Sequence, residues 1–232
     1  MLLSSNWHLA LAMFLAAGCD FASADVIYSG FGANNSYYAF GSRSATTPPR
    51  GNPAADADLA QALHVYEAPD FALTSIDLAV RLAAGANRLD VWLMGNQQQP
   101  GHQFGEPDEI TIEAFRVEGQ MTSASRGSVI HLISALRPVL HSGWDYWVVL
   151  SVPDPGSEVQ WYSASLDLPP AQQWIGERFS FNQNQWEIAY ASSGFAVRLE
   201  GEKIPTPSTG SLLLAACLAV LTVSARARRR MA

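Results

Sequence analysis

The chain has 232 residues, 48% of them hydrophobic and 15% charged, with 14 basic against 21 acidic residues for a formal net charge of −7. From residue 25 to residue 204, ten basic residues face twenty acidic ones, and a domain that acidic repels a phosphate backbone, which argues against a nucleic-acid partner. Both cysteines, Cys19 and Cys217, lie in apolar terminal segments, so thiolate catalysis, thiolate metal sites and disulfide staples are excluded for the span between them.

The N-terminus carries an apolar run, Leu9 to Ala17, within the ~7–15 residues of a secretory h-region. Small residues follow. Ala22-Ser23-Ala24 forms an A-x-A site, whose small side chains suit a signal peptidase, so export is expected with cleavage before Asp25. The stretch Leu15-Ala16-Ala17-Gly18-Cys19 also resembles a bacterial lipoprotein box, displaced by one residue, which would put an acyl anchor on Cys19.

Residues 25–204 are expected to form one domain, large enough to bury its own core. Alternation of apolar and polar residues dominates it. In Thr74 to Leu82, Ile76, Leu78, Val80 and Leu82 would share one face while Ser75, Asp77 and Arg81 share the other, the period-two pattern of a half-buried strand. Arg88 to Leu93 repeats it after the turn-like Ala84-Gly85-Ala86-Asn87, and the two runs are expected to pair as a hairpin. Further strands are expected at 110–115, 146–152, 159–162 and 195–199. Two stretches read as loops: Thr46 to Pro53, whose prolines lack donors for a ladder, and the polar, turn-rich 97–107. Several strands separated by Gly, Pro and Asn predict an all-β fold, an antiparallel, jelly-roll-like β-sandwich.

After this domain come Pro205-Thr206-Pro207, then fifteen consecutive uncharged, mostly apolar residues from Ser211 to Ala225, then Arg226, Arg228, Arg229 and Arg230. The apolar run falls short of the ~20 residues that span hydrocarbon comfortably, and the arginines would stay on the cytoplasmic side. This order resembles the PEP-CTERM sorting signal of Gram-negative bacteria, a Pro-Glu-Pro tripeptide, short transmembrane segment and Arg-rich end, with Thr206 here in the Glu place. The resemblance implies an exosortase, a membrane-embedded cysteine protease, as a partner that recognises the tripeptide and removes the tail. The other reading of the same segment is a permanent minimal anchor.

A second resemblance covers roughly residues 25–200. "DVIYSGFG", "LAQALHVYEAPDFALTSIDLAVRL", "NRLDVWLMG" and "GWDYWVVLSVPDPGSEVQWYSAS" are similar to the choice-of-anchor R domains of bacterial surface proteins, with Ile76, Leu89, Tyr146, Trp147 and Trp161 in the matching places. The match departs over 97–128. It implies a sandwich upstream of a sorting tail and supplies no catalytic residues.

Among candidate sites, His64, His102, His131 and His141 contain no pair at the i, i+2 or i, i+4 spacing that places two imidazoles on one face for zinc. Asp56, Asp58, Asp108 and Glu109 could offer oxygens to calcium, without the D-x-D-x-D-G run of a strong site. Glu113, Glu118, Asp145, Glu158 and Glu187 are equally eligible for the carboxylate pair of glycoside hydrolysis, and no nucleophile elbow, phosphate loop or H-E-x-x-H helix is present. No cofactor or catalytic residue is therefore assigned. Trp144, Trp147, Trp161, Tyr162, Trp174 and Trp186 cluster in the C-terminal half. Trp147 reads as core, whereas Trp174 and Trp186, among Gln and Asn, read as a glycan-facing surface. The expected function is that of a non-catalytic exported surface or matrix protein associated with extracellular polysaccharide. A dedicated carbohydrate-binding module is the alternative and a glycan-active enzyme the third reading.

Overall fold

The computed structural model describes residues 24–47, 57–66, 69–97, 105–165, 173–179, 185–191 and 194–205. Apart from one three-residue 3-10 turn at Ala33–Asn35, their regular elements are all strands. In chain order these are β1 (Asp25–Ser29), β2 (Tyr38–Thr47), β3 (Ala57–His64), β4 (Phe71–Ala84), β5 (Arg88–Gln97), β6 (Glu106–Glu118), β7 (Ser128–Ile133), β8 (Val139–Leu140), β9 (Asp145–Ser151), β10 (Ser157–Ser163), β11 (Gln173–Phe179), β12 (Trp186–Ala191) and β13 (Val197–Lys203). The fold is all-β and the pairing antiparallel. No helix among the described residues is long and apolar enough to cross a membrane; the tail, 206–232, lies outside them.

The ladders fall into two blocks. In the first, β4 is the hub: it pairs with β13, β10, β7 and β8, while β1 lies on β13 and β2 on β10. The second runs β12-β11-β3-β9-β5-β6. A single bridge, Thr46 to Ala57, joins β2 to β3 and thus one block to the other. One apolar cluster takes Leu73, Ile76, Leu78, Val80, Trp161 and Val197 from the first block and Leu59, Leu63, Val91, Leu93, Val148 and Leu150 from the second. Each such fully buried side chain contributes ~1.5–3 kcal/mol, against ~1 kcal/mol for a backbone hydrogen bond. The shared core, not the bridge, holds the blocks together.

The expected hairpin does not form. β4 and β5 are both strands, but β4 already has partners along both edges, and β5 lies between β9 and β6 in the other block. The connecting turn is fastened elsewhere. Ala86 N–H donates to Ser157 Oγ at 2.8 Å, and the Asn87 side chain bonds both the N–H (3.1 Å) and the carbonyl (2.7 Å) of Met121. Gly85 has φ +80°, and a Cβ there would stand 2.6 Å from Ser157 Cα, so the position takes glycine and not a Cβ-bearing residue. The chain crosses between blocks here because periodicity specifies a strand but not its partner.

Two other expectations are corrected. Ser75 and Asp77 are buried, not solvent-facing. Their face of β4 is covered: Asp77 lies between His131 on β7 (Nδ1 to Oδ1 2.6 Å) and Arg198 on β13 (Nε to Oδ2 3.0 Å), its register partners on either side. The carboxylate is thereby paired, as a buried charge must be. Of the loop expected from Thr46 to Pro53, Thr46 and Thr47 belong to β2, and 48–53 lie outside the described residues.

Two buried polar side chains of the second block reach the first. Gln61 on β3 is fully buried; its Oε1 accepts Phe195 N–H at 2.7 Å and its Nε2 donates to the Ala62 carbonyl at 2.8 Å. Glu113 on β6 accepts Ser134 Oγ (2.6 Å), Ala135 N–H (2.7 Å) and Leu136 N–H (3.0 Å) in the turn after β7. Replacing Gln61 with Leu strands the buried Phe195 N–H, which costs ~1–3 kcal/mol. Urea unfolding of Gln61→Leu is expected to show that loss at an unchanged m-value, and a loss below ~0.5 kcal/mol would contradict the role given to this side chain.

Candidate functional site

The outward face of the second block is built from small residues at its centre and indoles around them. Ala60 and Ala62 on β3 lie opposite Val149 and Trp147 on β9, which in turn face Trp92 and Met94 on β5. Gly176 on β11 is the register partner of both Ala60 and Ile188. Trp174 and Trp186, the expected glycan surface, lie on this face with Trp92, packed against the buried Ala60, Ala62, Trp147 and Val149. Both are half-buried. The small central side chains let the indoles lie across the sheet. A Cβ at Gly176 would come within 2.9 Å of Ile188 Cδ1 and 3.1 Å of Trp186 Cε3. The Arg178 guanidinium stands 4.9 Å above the Trp186 ring, a cation–π distance. Trp147, expected in the core, is fully buried, but within this outer cluster.

At one end of this face opens a cavity of about 360 Å³ lined by Asn96, Gly143, Trp144 and Asp145. His141-Ser142-Gly143-Trp144 is a tight turn closed by Trp144 N–H to the His141 carbonyl at 3.3 Å, with Gly143 at φ +78° in its third place, where a type II turn needs glycine. The turn is anchored on both blocks. Gly143 N–H donates to the Val65 carbonyl (2.8 Å) and Val65 N–H to that of Trp144 (3.1 Å), just after β3. Before β4, Asp70 accepts Ser142 N–H at 2.9 Å and holds His141 Nδ1 at 2.8 Å. His141 N–H donates to Tyr146 Oη at 2.8 Å. The result is an indole presented on an anchored turn, 62% exposed, with the His141 ring 5.3 Å away.

The polar lining is also held. Asn96 Oδ1 accepts the Trp147 indole N–H at 2.9 Å, and Asp145 Oδ1 lies 2.6 Å from Nδ1 of His64, its cross-strand partner. The His64 ring meets Tyr66 edge-on at 4.4 Å, and Tyr66 is exposed. The Ser142 amide and then His141 hold the Asp70 carboxyl below the usual range, whereas burial raises the Tyr146 hydroxyl despite the opposing His141 amide. The arrangement offers a flat apolar surface beside hydrogen-bonding groups, which suits binding.

The three described histidines do not converge; each bonds a different aspartate, His64 to Asp145, His131 to Asp77 and His141 to Asp70. Among the described residues no group of three or more His, Cys, Asp or Glu could hold a metal ion, and His102 lies outside them. Of the calcium candidates, Asp58 is bonded by Arg178 (Nε to Oδ2 3.0 Å) and Asp108 by the Ile110 amide at 3.4 Å. Asp56 and the side chain of Glu109 lie outside the described residues. Glu113 is occupied as above, Glu158 accepts Ser44 Oγ at 2.6 Å, Glu118 ends β6, and Glu187 is the second residue of β12.

The two ends of the described domain meet beside this turn. β1 pairs with β13, Lys203 Nζ lies 3.0 Å from Asp25 Oδ2, and Ile204 N–H donates to the Asp70 carbonyl at 2.8 Å. Ala24 and Pro205 are exposed. Ala22, Thr206, Pro207, Arg226, Arg228, Arg229 and Arg230, with Cys19 and Cys217, lie outside the described residues.

No protein-family model matches the chain, and no curated protein matches it by sequence. The sequence does contain the signal for Trp144, a Ser-Gly pair followed by an indole between two strands, which is a turn presenting an aromatic side chain.

The Asp70 anchor should be visible in solution. Its depressed pKa means that its contribution to the turn is complete above the unfolded value of ~3.9 and is lost as pH falls through the lower folded value. The Ser142 amide shift, followed by NMR, is expected to titrate with a midpoint below that of an ordinary aspartate and to stop titrating in Asp70→Asn. A midpoint at or above ~3.9 would contradict this geometry.

Proposed function

We propose that this chain is a non-catalytic exported protein of the cell envelope surface or extracellular matrix, delivered through the inner membrane by its N-terminal signal. An exosortase then recognises its C-terminal tail. In this reading the two blocks face each other as a jelly-roll-like β-sandwich, since each has an apolar face that only the other can cover. The observation that carries the proposal is the position of the first and last strands among the described residues. β1 starts at Asp25, directly after the Ala22-Ser23-Ala24 cleavage site, and β13 ends at Lys203, two residues before Pro205. Processing at both places would cut no ladder among the described residues.

Association with extracellular polysaccharide is favoured by the indole-rich face of the second block and the cavity at its end. A glycan-active enzyme would need two carboxyl groups held ~5 Å or ~6.5–9.5 Å apart across a bond. Of the five carboxylates equally eligible by sequence, Glu113, Glu158 and Asp145 are engaged by Ser134, Ser44 and His64, which favours the non-catalytic reading.

Mass spectrometry of the protein from its native host tests the proposal. Intact chains should begin at Asp25 and end near Pro205–Pro207, and replacing Arg226, Arg228, Arg229 and Arg230 with Ser should reduce retention at the processing membrane. Chains still ending at Ala232 in cells with an active exosortase would make the tail a permanent anchor.

A further inference from the structure

We infer that the cavity lined by Asn96, Gly143, Trp144 and Asp145 binds a neutral sugar unit, stacked by its C–H face on Trp144; the inference rests on the polysaccharide association proposed above. An exposed tryptophan alone signifies little. This one differs in standing on a held turn, whose backbone is bonded to Val65, Asp70 and Tyr146 at once, beside a His141 ring 5.3 Å away. A backbone already held in place has little conformational freedom left to lose when a ligand lands on its side chain, and an aromatic face complements the apolar C–H side of a pyranose.

The hydroxyls of such a ring need both donors and acceptors, and the cavity has both. Asn96 uses its oxygen for Trp147, which leaves its NH₂ group to donate. Asp145 uses Oδ1 for His64, which leaves Oδ2 to accept. The volume of about 360 Å³ is at the small end of the ~300–1,000 Å³ typical of ligand pockets, enough for a short stretch of a glycan chain rather than a large ligand. Charge decides the class of sugar. Asp145 lines the cavity, Asp70 lies behind the turn, and ten basic residues face twenty acidic ones across 25–204. Uronates and sulfated sugars would meet like charge, so the ligand is an uncharged saccharide.

The test uses the full chain in detergent on an array of neutral glycans (dextran, laminarin, mannan, galactan, chitin oligomers) and acidic ones (alginate, polygalacturonate). Wild type, Trp144→Ala, Trp144→Tyr, Trp186→Ala and, as a control on β2 of the first block, the exposed Phe40→Ala are compared. Retention on at least one neutral glycan is expected, weakened tenfold or more by Trp144→Ala, largely restored by Trp144→Tyr, and changed less than threefold by Phe40→Ala. Loss with Trp186→Ala but not with Trp144→Ala would overturn this site while leaving the polysaccharide reading intact. Retention only on acidic glycans would overturn the assigned sugar class. Retention on no glycan would sink the site and the polysaccharide reading together.

Discussion

Among the described residues the strands of the two blocks share one backbone bridge, Thr46 to Ala57, and side chains supply most of what else joins the two ladders. Burial of Leu, Val and Ile from both blocks in one cluster supplies the attraction, but such burial is non-directional and tolerates sliding. Position is fixed by groups that lose a hydrogen bond if the blocks shift. Gln61 binds the Phe195 amide, and Glu113 binds three donors after β7. A buried donor left without its acceptor costs more than the intact bond contributes, so these contacts select one relative placement.

The candidate site inherits that placement. Turn 141–144 joins β8 of the first block to β9 of the second and is bonded to Asp70 on one side and Val65 on the other. Sliding one block against the other would pull the turn apart and tilt Trp144 away from Asn96 and Asp145. Asp70 also accepts the Ile204 amide through its carbonyl, so the segment leading into the C-terminal tail leaves from the same end of the domain.

The strands with clear alternation were legible in the sequence: β5, β6, β9 and β10 lie where period-two patterning puts them. Partners were not, because an alternating run says which side chains share a face and nothing about which edge they meet. Thr74 to Leu82 and Arg88 to Leu93 looked like two arms of a hairpin, yet β4 is a hub with both edges filled. Asp77 looked solvent-facing because its sequence neighbours allow no other inference, whereas its burial comes from Arg198 and His131, far along the chain. The tryptophans illustrate the same limit. Trp174 and Trp186 have polar neighbours in sequence but lie down over Ala60, Ala62 and Gly176, while Trp144, beside the apolar β9, stands out on its turn. Exposure of an indole depends on what lies opposite it across strands.

The two blocks should behave as one cooperative unit whose register is set by buried polar contacts and on which the site at their junction depends. Native-state hydrogen exchange of the protein, resolved by residue, measures this. Amides of β4 in the first block and β9 in the second should open with the same free energy, and Gln61→Leu should lower both by the same amount. If β9 remains at its wild-type protection while β4 loses its own, or the two differ before any substitution, the blocks are separate units and this account of the fold is wrong.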